Sequence, residues 1–331
     1  LGFAFGLEGG EEFIKKSLAR GQLIINTNNV TPAQFNKTKH LRMDAALEPF
    51  PGLTIELHAL YEDNRRTEFQ YMVDGMPKTH SGSFAMSTIT LSSAFENKGA
   101  ANKYRSQAFD RFLANRKTIA SRVAAQYKME NGKEESLPHS GEEAVHLLSS
   151  DVLIPSFLAA YMGRDPEKAS LTPFPSIHSL LPNWNISYNL MTMVPELQDH
   201  LRSLYLSHTY LSQYRVGAFS SFLSWVPLHV GSPLGFILDP VTGLFVPSSL
   251  YDISSASIVE SLNPLIEVSS VLNNQMNISL RLNKTRALNL NIASYQIVET
   301  SENDVVLGLG YRLPDFNRVI GIGSNSMQRD R

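Results

Sequence analysis

The run Met276 to Asn283 alternates without a fault: Met276, Ile278, Leu280 and Leu282 fall on one parity, and Asn277, Ser279, Arg281 and Asn283 on the other. Successive side chains of a β-strand point to opposite sides of its sheet, so this run predicts a strand with one apolar and one polar face. The period recurs in Leu41, Met43, Ala45 and Leu47 against Arg42, Asp44, Ala46 and Glu48. It recurs again in Leu53, Ile55, Leu57, Ala59 and Tyr61 against Thr54, Glu56, His58, Leu60 and Glu62. Pro49-Phe50-Pro51-Gly52 between these two runs has turn chemistry and predicts a hairpin with Met43 and Ile55 on one face. The second strand is expected to run on through Phe69, Tyr71 and Val73, with a loop over 74–82 and a return strand from Ser83 to Leu91.

The middle of the chain has a different period. Between Lys103 and Lys128, Phe109, Phe112, Leu113, Ile119, Ala120, Val123, Ala124 and Tyr127 fall at helical spacing. The other face of that helix is basic, with Lys103, Arg105, Arg111, Arg116, Lys117, Arg122 and Lys128 against Asp110 alone. A polar, acidic loop over 130–143 follows, able to neutralise part of it. A short helix is expected over Pro155–Met162, stopped by Gly163. From Trp184 the period returns to two, through Ile186, Tyr188 and Leu190. A turn of helix near Val194–His200 precedes strand-like runs over Leu201–Phe219, Leu265–Leu272, Gln275–Leu282, Ala287–Ile292 and Asp304–Arg312. Asn273-Asn274 supplies a hairpin turn. The expected organisation is antiparallel barrel strands over 1–95, a helical insert with loops over 96–182, barrel strands over 183–315 and a tail over 316–331.

Composition narrows the use of such a sheet. The 29 basic and 31 acidic residues give a net charge of -2, so the chain as a whole has no electrostatic reason to bind nucleic acid. Without cysteine it has no disulfide, thiolate metal site or cysteine nucleophile. No window reaches about 18 consecutive apolar residues, so no membrane helix is expected; a membrane strand needs only about ten alternating residues and stays open. The opening LGFAFGLEGGEE has neither an initiator Met nor the basic and long apolar regions of a signal peptide, and it reads as internal.

A one-sided sheet in a soluble sandwich also alternates. Two features favour a membrane wall: the polar parity is rich in Asn, Arg, Glu and Asp, as in a wet lumen, and Tyr61, Trp184, Tyr188 and Tyr311 fall near strand ends, as in interfacial girdles. The fold class expected is therefore mainly β, an antiparallel transmembrane β-barrel wall with a helical insert. An open sheet edge in lipid leaves backbone groups unpaired, so the wall must belong to a larger barrel. Candidate lumen-facing residues are Arg42, Asp44, Glu48, Glu56, His58, Arg281, Asn283, Asn289 and Asn291, opposite the lipid-like parity.

Four segments then carry a resemblance: LRMDAALEPFPGLTIELHALYEDN; SSDVLIPSFLAAYMG; LPNWNISYNLMTMVPELQDHLRSLYLSHTYLSQYRVG; and YDISSASIVESLNPLIEVSSVLNNQMNISLRLNKTRALNLNIASYQIVETSENDVVLGLGYR. In this order, over most of 37–312, they resemble the C-terminal part of the SprA/Sov family of giant outer-membrane proteins of Bacteroidetes-type bacteria. The resemblance implies a fragment of a very large barrel that serves as the translocon of type IX secretion, associated with gliding motility and cell-surface protein export. Implied partners are outer-membrane lipid, a PorV-like barrel protein, a plug protein and secreted protein cargo.

Enzyme chemistry is not expected. The nine histidines are scattered and form no close helical zinc pair, so no metal or cofactor is predicted. Glu11-Glu12 and Glu142-Glu143 are adjacent and point apart on any regular element, unlike a catalytic acid and base. Gly308-x-Gly310 and Gly321-x-Gly323 lack the third glycine of a dinucleotide loop. The sequons at Asn36, Asn185, Asn277 and Asn283 read as incidental, and the basic helix face as a solvated surface docked on the wall. A small-solute porin or receptor barrel, and an extracellular all-β binding module or glycan-active enzyme, are the alternatives.

Overall fold

The computed structural model describes residues 9–23, 31–71, 78–96, 105–131, 147–229, 232–238, 243 and 245–312. Helix α1 (Gly10–Ala19) precedes strands β1 (Ala33–Phe50), β2 (Leu53–Phe69) and β3 (Thr79–Ser87). Helices α2 (Leu91–Ala94), α3 (Gln107–Asn131) and α4 (Ser150–Met162) come next, then β4 (Asn183–Asn189) and β5 (Leu201–Ser221). Short strands β6 (Val226–Pro227), β7 (Leu234–Leu238), β8 (Phe245–Ser249) and β9 (Tyr251–Ile253) lead to the long β10 (Ser255–Leu272), β11 (Met276–Asn291) and β12 (Gln296–Tyr311).

The predicted hairpin forms. Gly52 takes the left-handed φ of 85° that the tight turn needs, and Met43 pairs with Ala59 while Leu47 pairs with Ile55, which puts Met43 and Ile55 on one face. The long strands make one antiparallel sheet in chain order, β1-β2-β3-β5-β10-β11-β12. β3 and β4 are two halves of a single lane: β3 pairs with Tyr61–Glu68 of β2, β4 with Leu53–His58, and β5 pairs with both. The chain leaves this lane at Ser87 and re-enters it at Asn183. Side chains close the joint, since Ser87 Oγ accepts from Leu60 N (3.0 Å) and Asn183 Nδ2 (3.3 Å), and Asn183 Oδ1 accepts from Ser212 N (2.8 Å). They satisfy backbone groups that a broken lane leaves unpaired.

The described helices between exit and re-entry stack on one face of the sheet, over the half away from the 51–52 turn. α4 is apolar all round and buried from Val152 to Tyr161, as a helix with neighbours on every side must be. Its Leu153, Ile154, Phe157, Leu158 and Tyr161 share a core with Phe84, Met86, Tyr214, Val216, Ile258, Leu288 and Leu290 of the sheet. α3 packs on α4, and the small sheet β6-β7-β8 packs on α3 through Tyr127, whose hydroxyl donates to Gly235 O at 2.9 Å. Among the described residues no helix is long and apolar enough to cross a membrane, which leaves strands unaddressed.

Several expected boundaries move. The return strand starts at Thr79 and ends at Ser87, and Leu91 opens α2. The runs 275–282 and 287–292 are one strand, β11. β10 begins ten residues before the expected Leu265, with Pro264 in an irregularity of its pairing between Leu262 and Ile266, where a missing N–H is tolerated. α4 begins a turn before Pro155, and Gly163 stops it at φ 66°. α1 and the small sheet were not foreseen. The acidic loop beyond Asn131, Val73, Lys103 and the tail from 316 lie outside the described residues.

Candidate functional site

Strand register brings the nine sequence-predicted polar residues toward one side. The even positions of β1 and β2 and the odd positions of β4, β5, β10 and β11 align through His58↔Asn183, Asn185↔Thr209, Glu267↔Ser207 and Glu267↔Arg281. Arg42 Nε donates to Asp44 Oδ2 at 2.8 Å, and His58 Nδ1 donates to Asp44 Oδ1 at 2.7 Å. Glu56 Oε2 accepts from Asn185 Nδ2 (3.1 Å), and Asn185 Oδ1 accepts from Thr209 Oγ1 (3.1 Å). Arg281 Nη2 donates to Glu267 Oε1 at 2.8 Å. Glu48 is apart from this network, because its Oε1 caps the turn through Gly52 N at 3.2 Å. Asn289 and Asn291 are exposed, and Asn283 Oδ1 is buried without a hydrogen-bond partner among the described residues. A concavity of about 430 Å³ holds Arg42, Asp44 and His58 beside Gln213 and Arg215, at the joint where β3 gives way to β4. Charges on this face are largely paired, within or across strands, and Tyr205, Leu211, Val259, Val298 and Val306 are exposed among them, so the face is mixed in character, without a strong field of one sign.

The opposite face divides in two. Near the turns it is a bare apolar belt, in which Met43, Leu47, Leu206, Ile266, Val268, Leu280, Val305, Leu307 and Leu309 are all exposed. Tyr311 and Phe50 edge it at the turn end, with Phe50 against Tyr188 edge to face at 5.9 Å. Of the predicted girdle aromatics, Tyr188 and Tyr311 fall at that edge; Tyr61 is buried, and Trp184 stacks on Tyr210 at 4.5 Å. Farther from the turns the same parity lies under the helices, so Leu288 and Leu290 contact protein.

The belt runs obliquely to the sheet. Lys39 shares a hydrogen-bonded row with Leu290 through Asp63, Phe84, Val216 and Ala256. Lys39 ends the apolar run on β1, but on the same parity of β11 the first charge is Lys284, six residues nearer the turn than Leu290. At ~3.3 Å per residue and ~4.8 Å per strand spacing, that offset over five spacings is an angle of about 40°. Barrel strands tilt by about 35–45° from the axis, and a belt level with a membrane would be offset from the inter-strand rows by the same angle.

Where belt meets cover sits a cluster that parity reasoning missed. Glu260 and Arg286 are cross-strand partners on β10 and β11, 2% exposed each, with Arg286 Nη2 at 2.7 Å from Glu260 Oε2. Thr90 Oγ1 and the Tyr210 hydroxyl each donate to Glu260 Oε1 at 2.7 Å, and Arg286 Nη1 donates to Ser93 O at 2.7 Å. The pair therefore ties the first residues of the helical cover to three strands. Its sequence signal is a charge on the apolar parity of each of two neighbouring strands. The basic face of α3 is engaged too: Arg105 meets Asp110 (2.9 Å), Arg111 meets Glu96 (3.2 Å), and Arg122 donates to Pro166 O and Ala169 O. The fold and these faces define a two-faced antiparallel meander with a helical cover. No protein-family model matches the chain, and no curated protein matches it.

Proposed function

We propose that this chain is part of the wall of a large outer-membrane β-barrel that passes folded proteins out of the cell, as its resemblance to the SprA/Sov family implies. The observation that carries the reading is the bare apolar belt opposite a polar, cross-linked face. In water such a belt is an unfavourable contiguous apolar surface; in a bilayer it is the lipid contact. Nine to eleven residues suffice to cross a bilayer, and the strands of 16 to 21 residues exceed this, so their far halves stand above the hydrocarbon. Because cover and belt share a face, the helical insert then lies outside the wall rather than in the lumen. Arg42, Asp44, Glu56, His58 and Arg281 line the wet side, and β1 and β12, the edges of the sheet among the described residues, continue into further strands. The wall moves cargo without covalent chemistry, in a complex with a PorV-like barrel and a plug.

Labelling of the assembled barrel with a lipid-soluble photoprobe tests the reading. The probe is expected on Leu280 and Leu307, and absent from Arg281 and from Leu288 under the cover. In the same barrel Leu280→Arg is expected to impair assembly by about 2–4 kcal/mol near the midplane, with Ser279→Arg far milder. A protein that stays soluble without detergent and takes no label on either parity is a soluble sandwich.

A further inference from the structure

We propose that the cavity between α1 and the far half of the β1–β2 hairpin binds the phosphate of an anionic membrane-lipid head group; this rests on the wall reading above. The belt-side parity of β1 reads, from the turn, Leu47, Ala45, Met43, Leu41, Lys39, Lys37 and Phe35. Four apolar residues give way at once to two exposed lysines, at the level where hydrocarbon gives way to head groups. Beyond Lys39 a cavity of about 530 Å³ is lined by Glu12 and Lys15 of α1 and by Lys37, Arg65, Phe35 and Phe69 of the hairpin. Arg65 is engaged with Asp63 (2.8 Å) and the Tyr251 hydroxyl (2.7 Å), and Glu12 with Lys16 (2.8 Å). Among the described residues Lys15 and Lys37 have no acidic partner, so two exposed lysines line a cavity whose wall is a stacked pair of rings, Phe35 and Phe69 at 5.7 Å. Ammonium pairs on an apolar wall suit a phosphate with a glycerol or acyl stem.

Lysines on an edge strand also guard against unwanted pairing. That role would place them along the flat apolar stretch 41–47, which has none. The corresponding lysine on β11, Lys284, already stands over the Phe95 ring at 4.9 Å, which leaves the α1 side as the open basic site.

The test is native mass spectrometry of the purified full chain in detergent with phosphatidic acid or phosphatidylcholine, alongside flotation with vesicles of each lipid. Wild type is expected to retain phosphatidic acid preferentially. The double variant Lys15→Gln/Lys37→Gln should lower that preference about thirtyfold, two charges at ~1 kcal/mol each, while Lys15→Arg/Lys37→Arg and Lys284→Gln should keep it. Flotation without lysine dependence of the adduct overturns the pocket alone; failure to float with either lipid overturns the wall reading and the pocket together. Binding of inorganic phosphate that depends on both lysines and displaces the lipid identifies a soluble-anion site and overturns the lipid assignment.

Discussion

Two arginine–glutamate pairs join the same two strands from opposite faces. Glu267–Arg281 lies on the polar face at 2.8 Å with side chains 16% and 44% exposed; Glu260–Arg286 lies under the helical cover at 2.7 Å, 2% exposed on both sides. Both are direct cross-strand partners, one on each side of the irregularity between Leu262 and Ile266, so pairing alone hardly distinguishes them. Their surroundings do. Water shares the work of holding the first pair, whereas the second has lost hydration that only Thr90, Tyr210, Ser93 and the partner charge replace. Residue chemistry sets what each pair can form, and whatever covers the sheet decides how much it matters.

The strongest way to break this contrast is to remove half of the buried pair. Glu260→Ala strands the Arg286 guanidinium in the core and is expected to destabilise the fold by about 3–5 kcal/mol. The double replacement Glu260→Leu/Arg286→Met removes both charges and is expected to recover most of that loss, because buried pairs often contribute little beyond well-packed apolar side chains. Denaturant unfolding followed through Trp184 and Trp225 measures both, and a small loss in the single variant would show that water reaches the pair.

The same cover explains what the sequence conceals. Period two made the β1–β2 hairpin, its Gly52 turn and the common side of Arg42, Asp44, Glu56, His58 and Arg281 legible, because these depend on neighbours in sequence or on parity alone. The period broke at Lys284 and Arg286, so β11 read as two strands; the charges lie on the apolar parity because the Phe95 ring and the Glu260 carboxylate receive them there. Glu260 and Pro264 hid the first half of β10 in the same way. Parity separated two faces but not two kinds of cover, so Leu288 and Leu290 looked like Leu280 although helices lie over them. The pairing of β3 and β4 in one lane depends on contacts across residues 88–182, which no local pattern carries.

A smaller effect sharpens the contrast within the cover. Asp151, at the start of α4, is a buried carboxyl whose partner is the Ser249 amide at 2.7 Å. Burial pushes its pKa above the ordinary 3.8, so the folded state favours the protonated acid. Its stabilising contribution is therefore full below the unfolded value and is lost as pH rises through the folded one. Asp151→Asn keeps an acceptor for Ser249 without the charge. The variant should melt above wild type at neutral pH, and the gap should close on acidification toward 3.8. A variant that melts lower at neutral pH would mean the ionised form is the one the cover holds.

The smallest effect belongs to the exposed pair, and it tests the comparison from its other side. Glu267 and Arg281 hold a single 2.8 Å contact on a face open to solvent, so Coulomb attraction is diluted and two long side chains lose freedom to make it. A double-mutant cycle with Glu267→Ala and Arg281→Ala is expected to give a coupling of about 0.2–1 kcal/mol. Raising the salt from 0.1 to 1 M shortens the Debye length from about 10 to 3 Å, which should weaken that coupling while leaving the loss in Glu260→Ala nearly unchanged. A salt-insensitive coupling of several kcal/mol would mean that the polar face is itself covered by a further protein surface. The two pairs would then differ only in which protein surface hides them, and the face assigned to water would have to be reassigned.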